Sequence, residues 1–370
     1  MQMKTESKSK EVELFAKKLK SYKKLIDADI AQYSKLIKKS TLQNYGAHSR
    51  LATDAYLEIL ARGGKRIRGA LAMVGYEMMG GKNQNMILVA ARALEMIHAY
   101  LLIMDDIQDR SLTRRGGPTA HVDLSLYHQV KHLSGDADHF GISLALNAMG
   151  IGNHAAQVLV ANLDAPEDVR LKALSILNQS IVITAHGQTS DIMNEVNGPV
   201  TMKDVENVLE WKTAHYTFLN PLTFGMVLAD ADCAATDAVR DYALNAGRAF
   251  QITDDILGTF GHEFTSGKSP MDDMREGKRT VLTLYALEHA EKADKNFLIQ
   301  MLGNQHLTQA EFDRCKDILI ETGAYEFAAK QADDSIEKAI SSLKKQNIDW
   351  NQESVNFLIG LAQYLKGRSS

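Results

Sequence analysis

Three aspartates crowd into the stretch MDDIQD, where Asp105, Asp106 and Asp109 follow directly on the apolar run HAYLLIM. On a helix Asp105 and Asp109 share a face one turn apart, with Asp106 beside them. Like charges this close repel and raise one another's pKa unless a cation meets them. Oxygen-only ligands in this geometry suit Mg²⁺, which takes one or two carboxylates and fills its shell with water and phosphate oxygens. A solvated acidic face is the alternative for this motif taken alone. A second pair weakens that alternative, because Asp254 and Asp255 interrupt another apolar helix in FQITDDILG. Two acidic pairs on separate apolar helices are what a shared metal–diphosphate cavity needs.

The cations fall at glycine-containing turns. Gly63-Gly64-Lys65-Arg66-Ile67-Arg68 sets three positive charges behind two glycines at an apparent helix start. Backbone N–H groups at such a start favour an anion, and glycine lets a phosphate approach the main chain. Arg114 and Arg115 follow the first aspartate helix in TRRGGPTAH, while Lys212 lies in EWKTAHY, Lys268 in SGK and Lys278 in EGKRT. Arginine forks match diphosphate oxygens, and lysines act as mobile point charges. Each of these residues alone reads as surface; their repeated placement at the ends of apolar helices is what points to a site.

Helices must position these groups. Hydrophobic residues make up 45% of the 370-residue chain and charged residues 24%, with only five prolines and fifteen methionines. That composition fits a helical globular chain, and the net charge of -4 excludes an extended nucleic-acid-binding surface. Helical periodicity runs from about residue 10 to 366 without strand alternation. It breaks at GGKRIRG, MGGKNQN, TRRGGP, SGDAD, DAPED, NGP, GHEFTSGKSP and LGNQH. Asp164 is the expected cap before Pro166, and Thr201 the cap of the helix after NGP. No linker or repeat divides the chain, so the expectation is one all-α domain over 1–370, a helical bundle around a central cavity. Its motif-bearing core spans 60–285, and residues 1–10 form a flexible leader ahead of an amphipathic helix. No apolar run is long enough and free enough of charge to cross a membrane. Cys233 and Cys315 are isolated, which excludes a disulfide scaffold or a cysteine zinc site and fits a reducing cytoplasm.

In order and spacing the blocks GGKRIRG, His98 seven positions before Asp105, MDDIQD, RRGGPTAH, GQTSDI, WKTAHY, FQITDDILG and EGKRT resemble the trans-type isoprenyl diphosphate synthases. The resemblance covers residues 63–280. It implies an all-α bundle in which two aspartate helices, the first of DDxxD type, face across a cavity and hold an allylic diphosphate through Mg²⁺, with Mn²⁺ able to substitute. Asp105, Asp109 and Asp254 would be the metal ligands, supported by Asp106 and Asp255. Arg114, Lys212 and Lys268 would hold the allylic diphosphate, with Lys278 nearby. Gly64, Lys65, Arg68, His98 and Arg115 would hold isopentenyl diphosphate. Thr213 and Gln251 would stabilise positive charge at the reacting carbons. The resemblance also implies a homodimer.

Two departures from the family pattern stand out. Gly69 replaces a usual proline, which should loosen the GGKRIR turn. Gly258 replaces a third aspartate of the second cluster, a subgroup trait for which Asp272 or Asp273 is the expected electrostatic compensation. Gly258 also raises a rival, since class I terpene cyclases place ligands where this chain has Asp255, Thr259 and Glu263; but Ile256 stands where such a motif needs an acid, and Gly261 interrupts the helix. A non-catalytic partner subunit is the third reading, opposed by the retention of nearly all charged site residues. In the family, the positions four and five before the first aspartate face the growing tail. Here they are Leu101 and Tyr100, a pair that resembles synthases stopping at geranylgeranyl diphosphate, with farnesyl diphosphate the alternative.

Overall fold

A computed structural model describes residues 9–196, 198–261, 269–346 and 348–366. Most of the expected leader 1–10 lies outside the described residues, as do Lys268 and Glu263. The chain is a helical bundle, as its periodicity predicts. Helix α1 (Lys10–Ala61) is capped by Ser9, whose hydroxyl accepts from Val12 N, and bends at Gly46 with φ of 79°. Helices α2 (Ile67–Met78) and α3 (Gln84–Gln108) follow, then α4 (Ala120–Val130), α5 (Ala137–Ala161) and α6 (Glu167–Val196). Next come α7 (Met202–Val208), a π-helix over Leu209–Leu219, α8 (Asn220–Leu228), α9 (Cys233–Ala238) and α10 (Arg240–Phe260). The C-terminal third holds α11 (Asp272–Glu276), α12 (Val281–His289), α13 (Lys292–Met301), α14 (Gln309–Glu321), α15 (Ala324–Lys344) and α16 (Gln352–Lys366).

Local chemistry sets many of these boundaries. Thr201 caps α7 as expected, in a reciprocal box with Asp204. At α6 the expected cap is displaced: the helix starts at Glu167, and Pro166 itself offers the carbonyl that receives Arg170 N. Where no strand was expected, TRRGGP folds into a small antiparallel ribbon pairing Thr113 with Pro118 and Arg114 with Gly117. Its turn residues Arg115 and Gly116 have φ of 51° and 76°, and positive φ at both central positions is what a tight two-residue hairpin needs. This ribbon delivers both arginines.

The main core gathers buried faces of α1–α6, α8, α10, α15 and α16. A second cluster joins α10 to α11–α15 around Ile252, Ile256, Met274, Leu298 and Phe312. Helix α10 therefore belongs to both cores, its N-terminal half to the first and its C-terminal half to the second. Helix α3 is long and apolar enough to cross a membrane by composition, but 72% of its most apolar window is buried inside the protein. That burial marks it as a core helix.

Candidate active site

One cavity of about 570 Å³ gathers most of the residues singled out from sequence. Gly64, Lys65, Arg68, His98, Leu101, Asp105, Arg114, Arg115, Lys212, Thr213, Gln251, Asp254, Asp255 and Lys278 all line it.

On the α3 wall the aspartates meet cations. Arg114 donates from Nε to Asp106 Oδ1 at 2.6 Å, and its Nη2 lies 2.5 Å from the same oxygen and 3.3 Å from Asp105 Oδ2. Lys212 Nζ lies 3.4 Å from Asp105 Oδ1 and 2.7 Å from Asp191 Oδ2. Burial opposes the charge on Lys212, yet Asp191 and Asp105 overcome it and hold the ammonium above the usual lysine range. The same balance holds Arg114 above its ordinary value: burial works against the charge, and Asp106, Asp105 and Asp109 outweigh it. The π-helix presents Lys212 and Thr213, and wide π turns of this kind recur at functional sites. A β-carbon on Gly187 would come within 2.4 Å of Lys212 N, so the bare glycine lets α6 approach closely enough for Asp191 to reach the lysine.

The α10 wall is different. Asp255 Oδ1 accepts the Gln251 amide at 2.7 Å, and Gln251 Oε1 accepts the Thr213 hydroxyl at 2.8 Å. Among the described residues no ion pair reaches Asp255. Burial pushes its carboxyl well above the usual range, Asp273 and Asp254 push the same way, and the Gln251 hydrogen bond only partly offsets them. Lys278 bridges the walls, with Nζ 3.6 Å from Asp109 Oδ2, 3.6 Å from Asp273 Oδ1 and 2.5 Å from Glu276 Oε2.

The far end of the cavity is crowded with cations. Arg115 donates to Gly63 O, and its guanidinium fills the space beside Gly64, where a β-carbon would fall 2.8 Å from Nη2. Arg68 donates to the Thr217 hydroxyl at 2.6 Å and lies over the Tyr216 ring. Burial pushes Arg115 below its ordinary value, and the neighbouring Arg66 and Arg114 push the same way. His98 is held well below the usual histidine range by burial and then by Arg68 and Arg115, so it stays neutral; its Nδ1 lies 3.0 Å from the Tyr216 hydroxyl. Crowded cations with few counter-charges are what an anion pocket looks like before the anion arrives.

Several expected residues sit elsewhere. Asp106 is fully buried under Arg114 and does not line the cavity, and Asp109 faces Lys278. Leu101 lines the cavity but Tyr100 does not; Tyr100 is half-buried against the main core. Helical geometry gives the reason, since residue 101 stacks one turn below Asp105 and residue 100 points about 100° away. Arg66 lines the cavity but its guanidinium is already committed: its side chain is 2% exposed and pairs with Asp27 and with the buried Glu95. Gly69 does not loosen its turn; its N–H donates to the other oxygen of Glu95 at 3.0 Å, a bond that proline could not make. Thr259 spends its hydroxyl on Asp255 O, away from the cavity, which leaves the cyclase ligand pattern without its middle member.

Sequence reasoning missed Asp191, Arg279 and Tyr216, all of which line the cavity, and Glu195 near it; of the two acids named as stand-ins for a residue-258 aspartate, Asp273 lines the cavity and Asp272 does not. A signal existed for Asp191, an acid one turn after Gly187 on the face that meets Lys212. The donor set fits a hard divalent cation, being carboxylate oxygens from helices that line one cavity. Among the described residues no three such groups converge on a point, so an ion here would draw on one or two carboxylates at a time and take its other ligands from phosphate and water.

Residues 49–319 match the profile of the polyprenyl synthetase family. The chain is similar to the geranylgeranyl diphosphate synthase of Saccharolobus solfataricus, 32% identical over 77% of this chain and 82% of the relative. It is likewise similar to a short chain isoprenyl diphosphate synthase of Methanocaldococcus jannaschii, 32% identical over 72% and 75% of the two chains. Among solved structures, geranylgeranyl pyrophosphate synthase from Corynebacterium glutamicum, complexed with isoprenyl diphosphate and magnesium, superposes with a TM-score of 0.89. It is 28% identical, over 95% of this chain and 99% of that one.

Proposed function

The chain belongs to the polyprenyl synthetase family and is a prenyltransferase, and from that premise we propose that it extends an allylic diphosphate with isopentenyl diphosphate to give geranylgeranyl diphosphate. One observation carries the reading: a cavity with carboxylates on two helices and a separate cluster of Arg68, Arg115 and Lys65. Two diphosphates would bind there by different means, one through a metal and one through cations directly.

Asp105 and Asp109 on α3 and Asp254 on α10 would hold Mg²⁺, or Mn²⁺ in its place. When bound, the metal neutralises charge developing on the departing diphosphate. Arg114 and Lys212 would hold the allylic diphosphate, a role the resemblance also gives Lys268, outside the described residues, with Lys278 beside the aspartates; Gly64, Lys65, Arg68, His98 and Arg115 would hold isopentenyl diphosphate. The allylic C–O bond breaks and its electron pair leaves with the diphosphate oxygen, where Lys212 and Arg114 meet the new charge. The alkene of isopentenyl diphosphate then forms the new C–C bond to the allylic carbon. The Thr213 hydroxyl, oriented by Gln251, faces the passing cation with its oxygen dipole. A proton finally leaves the new cation for the released diphosphate, so the protein supplies no dedicated base. Leu101 bounds the tail, with Tyr100 on the adjoining face of α3.

The same reading includes a homodimer. Leu171, Val182 and Met193 recur every eleven residues along one face of α6, and Ile151 and Val158 lie on a face of the adjoining α5; all five are exposed large apolar side chains. Unpaired Cys233 and Cys315 favour a reducing compartment such as the cytoplasm.

The test is purified protein with Mg²⁺, isopentenyl diphosphate and each allylic starter, followed by chromatography of the products. A C20 diphosphate is the expected product. A cyclised hydrocarbon would instead support a cyclase, and inactivity without a second protein a partner subunit.

A further inference from the structure

Helix α1 contributes no residue to the cavity lining, yet its outer face is strongly patterned. Turning about 100° per residue, the helix gathers Phe15, Tyr22, Ile26 and Ile30 on one buried face. On the opposite side lie Lys17, Lys20, Lys24, Lys35 and Lys39, all exposed. They form a stripe about 33 Å long at the helical rise per residue. Among the described residues no ion pair reaches any of these five, whereas Lys18, Lys23 and Lys38 are each paired. The aspartates of α1 are already engaged: Asp27 with Arg66 and Lys23, Asp29 with Arg92, and Asp54 with Lys38 and Arg50. Glu13 sits one turn before Lys17 and bounds the stripe. In a chain of net charge -4, five uncompensated lysines on one face are a local asymmetry.

Large apolar side chains open to solvent accompany the lysines. Leu25 and Leu36 run along one flank of the stripe and Leu42 continues it, with Tyr45 just before the bend at Gly46. These four are 44% to 73% exposed. Lysines beside open leucines on one helix suit a lipid surface, where the ammonium groups meet headgroup phosphates and the leucines leave water. Five basic residues on an amphipathic helix also fall in the range that anionic lipid attracts. Nucleic acid fits less well. Helix α1 has no arginine before Arg50, which is engaged with Asp54, and leucines offer bases nothing to stack on.

We propose that the outer face of α1 docks the protein onto an anionic phospholipid surface, with the five lysines on the headgroup phosphates and Leu25, Leu36 and Leu42 in the headgroup layer. A prenyl diphosphate has an apolar tail, so docking would release the product beside the phase that dissolves it.

The experiment is cosedimentation of the purified full chain with vesicles of phosphatidylglycerol and phosphatidylcholine in equal parts, and with pure phosphatidylcholine, at low and high salt. No substrate is present, so the outcome is independent of product. Binding to the anionic vesicles that falls at high salt is expected. Lys17→Gln with Lys24→Gln and Lys35→Gln should weaken it about 100-fold, the scale of three basic residues leaving an anionic surface. Leu36→Ser should weaken it about tenfold. Melting temperature and condensation rate without vesicles should stay at wild-type values in both variants, since these side chains touch neither core nor cavity. A folded triple variant that binds like the wild type overturns the proposal, and so does equal binding to pure phosphatidylcholine. Preference for a single-stranded oligonucleotide over the anionic vesicles would assign the stripe to nucleic acid and overturn it as well.

Discussion

On α3 every aspartate of the first motif meets a cation, Asp105 through Lys212 and Arg114, Asp106 through Arg114 and Asp109 through Lys278. On α10 Asp255 meets an amide, and its carboxyl is pushed well up by burial and by the charges of Asp273 and Asp254. Each α3 aspartate is therefore offset by an ion pair, whereas Asp255 has only an amide beside it. A divalent cation gains little by replacing ion pairs already made, and much by relieving carboxylates that repel one another. The difference suggests a division of labour. The α3 wall is a fixed scaffold that sets geometry, and the α10 wall is the part whose energy changes most when metal and diphosphate arrive.

The largest effect should come from disturbing the scaffold. Asp105 touches Lys212 and Arg114 together, so Asp105→Asn loosens both cations assigned to the departing diphosphate. It should lower kcat/KM by about 10³-fold, the scale of losing a preorganised charge contact in the transition state. Asp255→Asn should cost only about tenfold if Asp255 supports rather than binds the metal, on the same free-energy scale. Equal losses in steady-state assays would break the contrast between the walls.

Stability without substrate tests the contrast independently of chemistry. Arg114→Leu removes the guanidinium paired with Asp106, whose side chain is fully buried, and should destabilise the chain by about 3 kcal/mol. Asp255→Asn keeps an acceptor for the Gln251 amide and removes a repelled charge, so it should be neutral or slightly stabilising. Urea denaturation of the two variants reads the difference. A stable Arg114→Leu protein would show that the α3 ion pairs do not hold that wall.

The α3 wall also continues down to the tail-binding end of the cavity, where Leu101 stacks one turn from Asp105. Leu101→Ala should shift the main product up by about one isoprene unit, since it removes roughly three carbons from the lining. Tyr100→Ala, outside the lining, should shift it less. Product chromatography showing the reverse order would return the floor to Tyr100.

Periodicity made the helices legible, and Thr201 followed by Asp204 made one of their boundaries legible too. The chemistry-bearing residue types were equally readable, because Asp105, Asp254, Lys212 and Arg114 each break an apolar pattern or a turn. Pairing was not readable. Nothing local distinguishes Arg66, whose guanidinium is committed to Asp27 and Glu95, from Arg68, which reaches the Thr217 hydroxyl across the cavity both residues line. The arginine ribbon was hidden because a two-residue strand carries no alternation to detect. Asp191 and Asp273 reach the site only through the packing of α6 and α11 against neighbours distant in sequence, which a one-dimensional pattern does not contain.

The smallest expected effect concerns Lys278, the lysine the two walls share, and the acid that faces it from α6. Burial, followed by the nearby Asp191, pushes the Glu195 carboxyl up to about 7, with Asp109 and Glu276 adding to the rise and Lys278 opposing it. Arg279 also faces Glu195. Below the ordinary glutamate range both the folded and unfolded chains hold this proton, so the folded state carries no penalty there. Between about pH 4.5 and 7 the unfolded chain ionises while the folded one keeps its proton, and stability falls as pH rises through that window. Above it both forms are ionised and the contribution is flat. Glu195→Gln removes the ionisation, so its melting temperature should lose this slope and exceed that of the wild type at pH 8 by on the order of 2 °C, a value kept small because the group is partly screened. Differential scanning calorimetry at pH 5 and pH 8 without metal reads the slope. If the two proteins melt in parallel across that range, Lys278 already neutralises Glu195, and the lysine belongs to α6 more than to either aspartate wall.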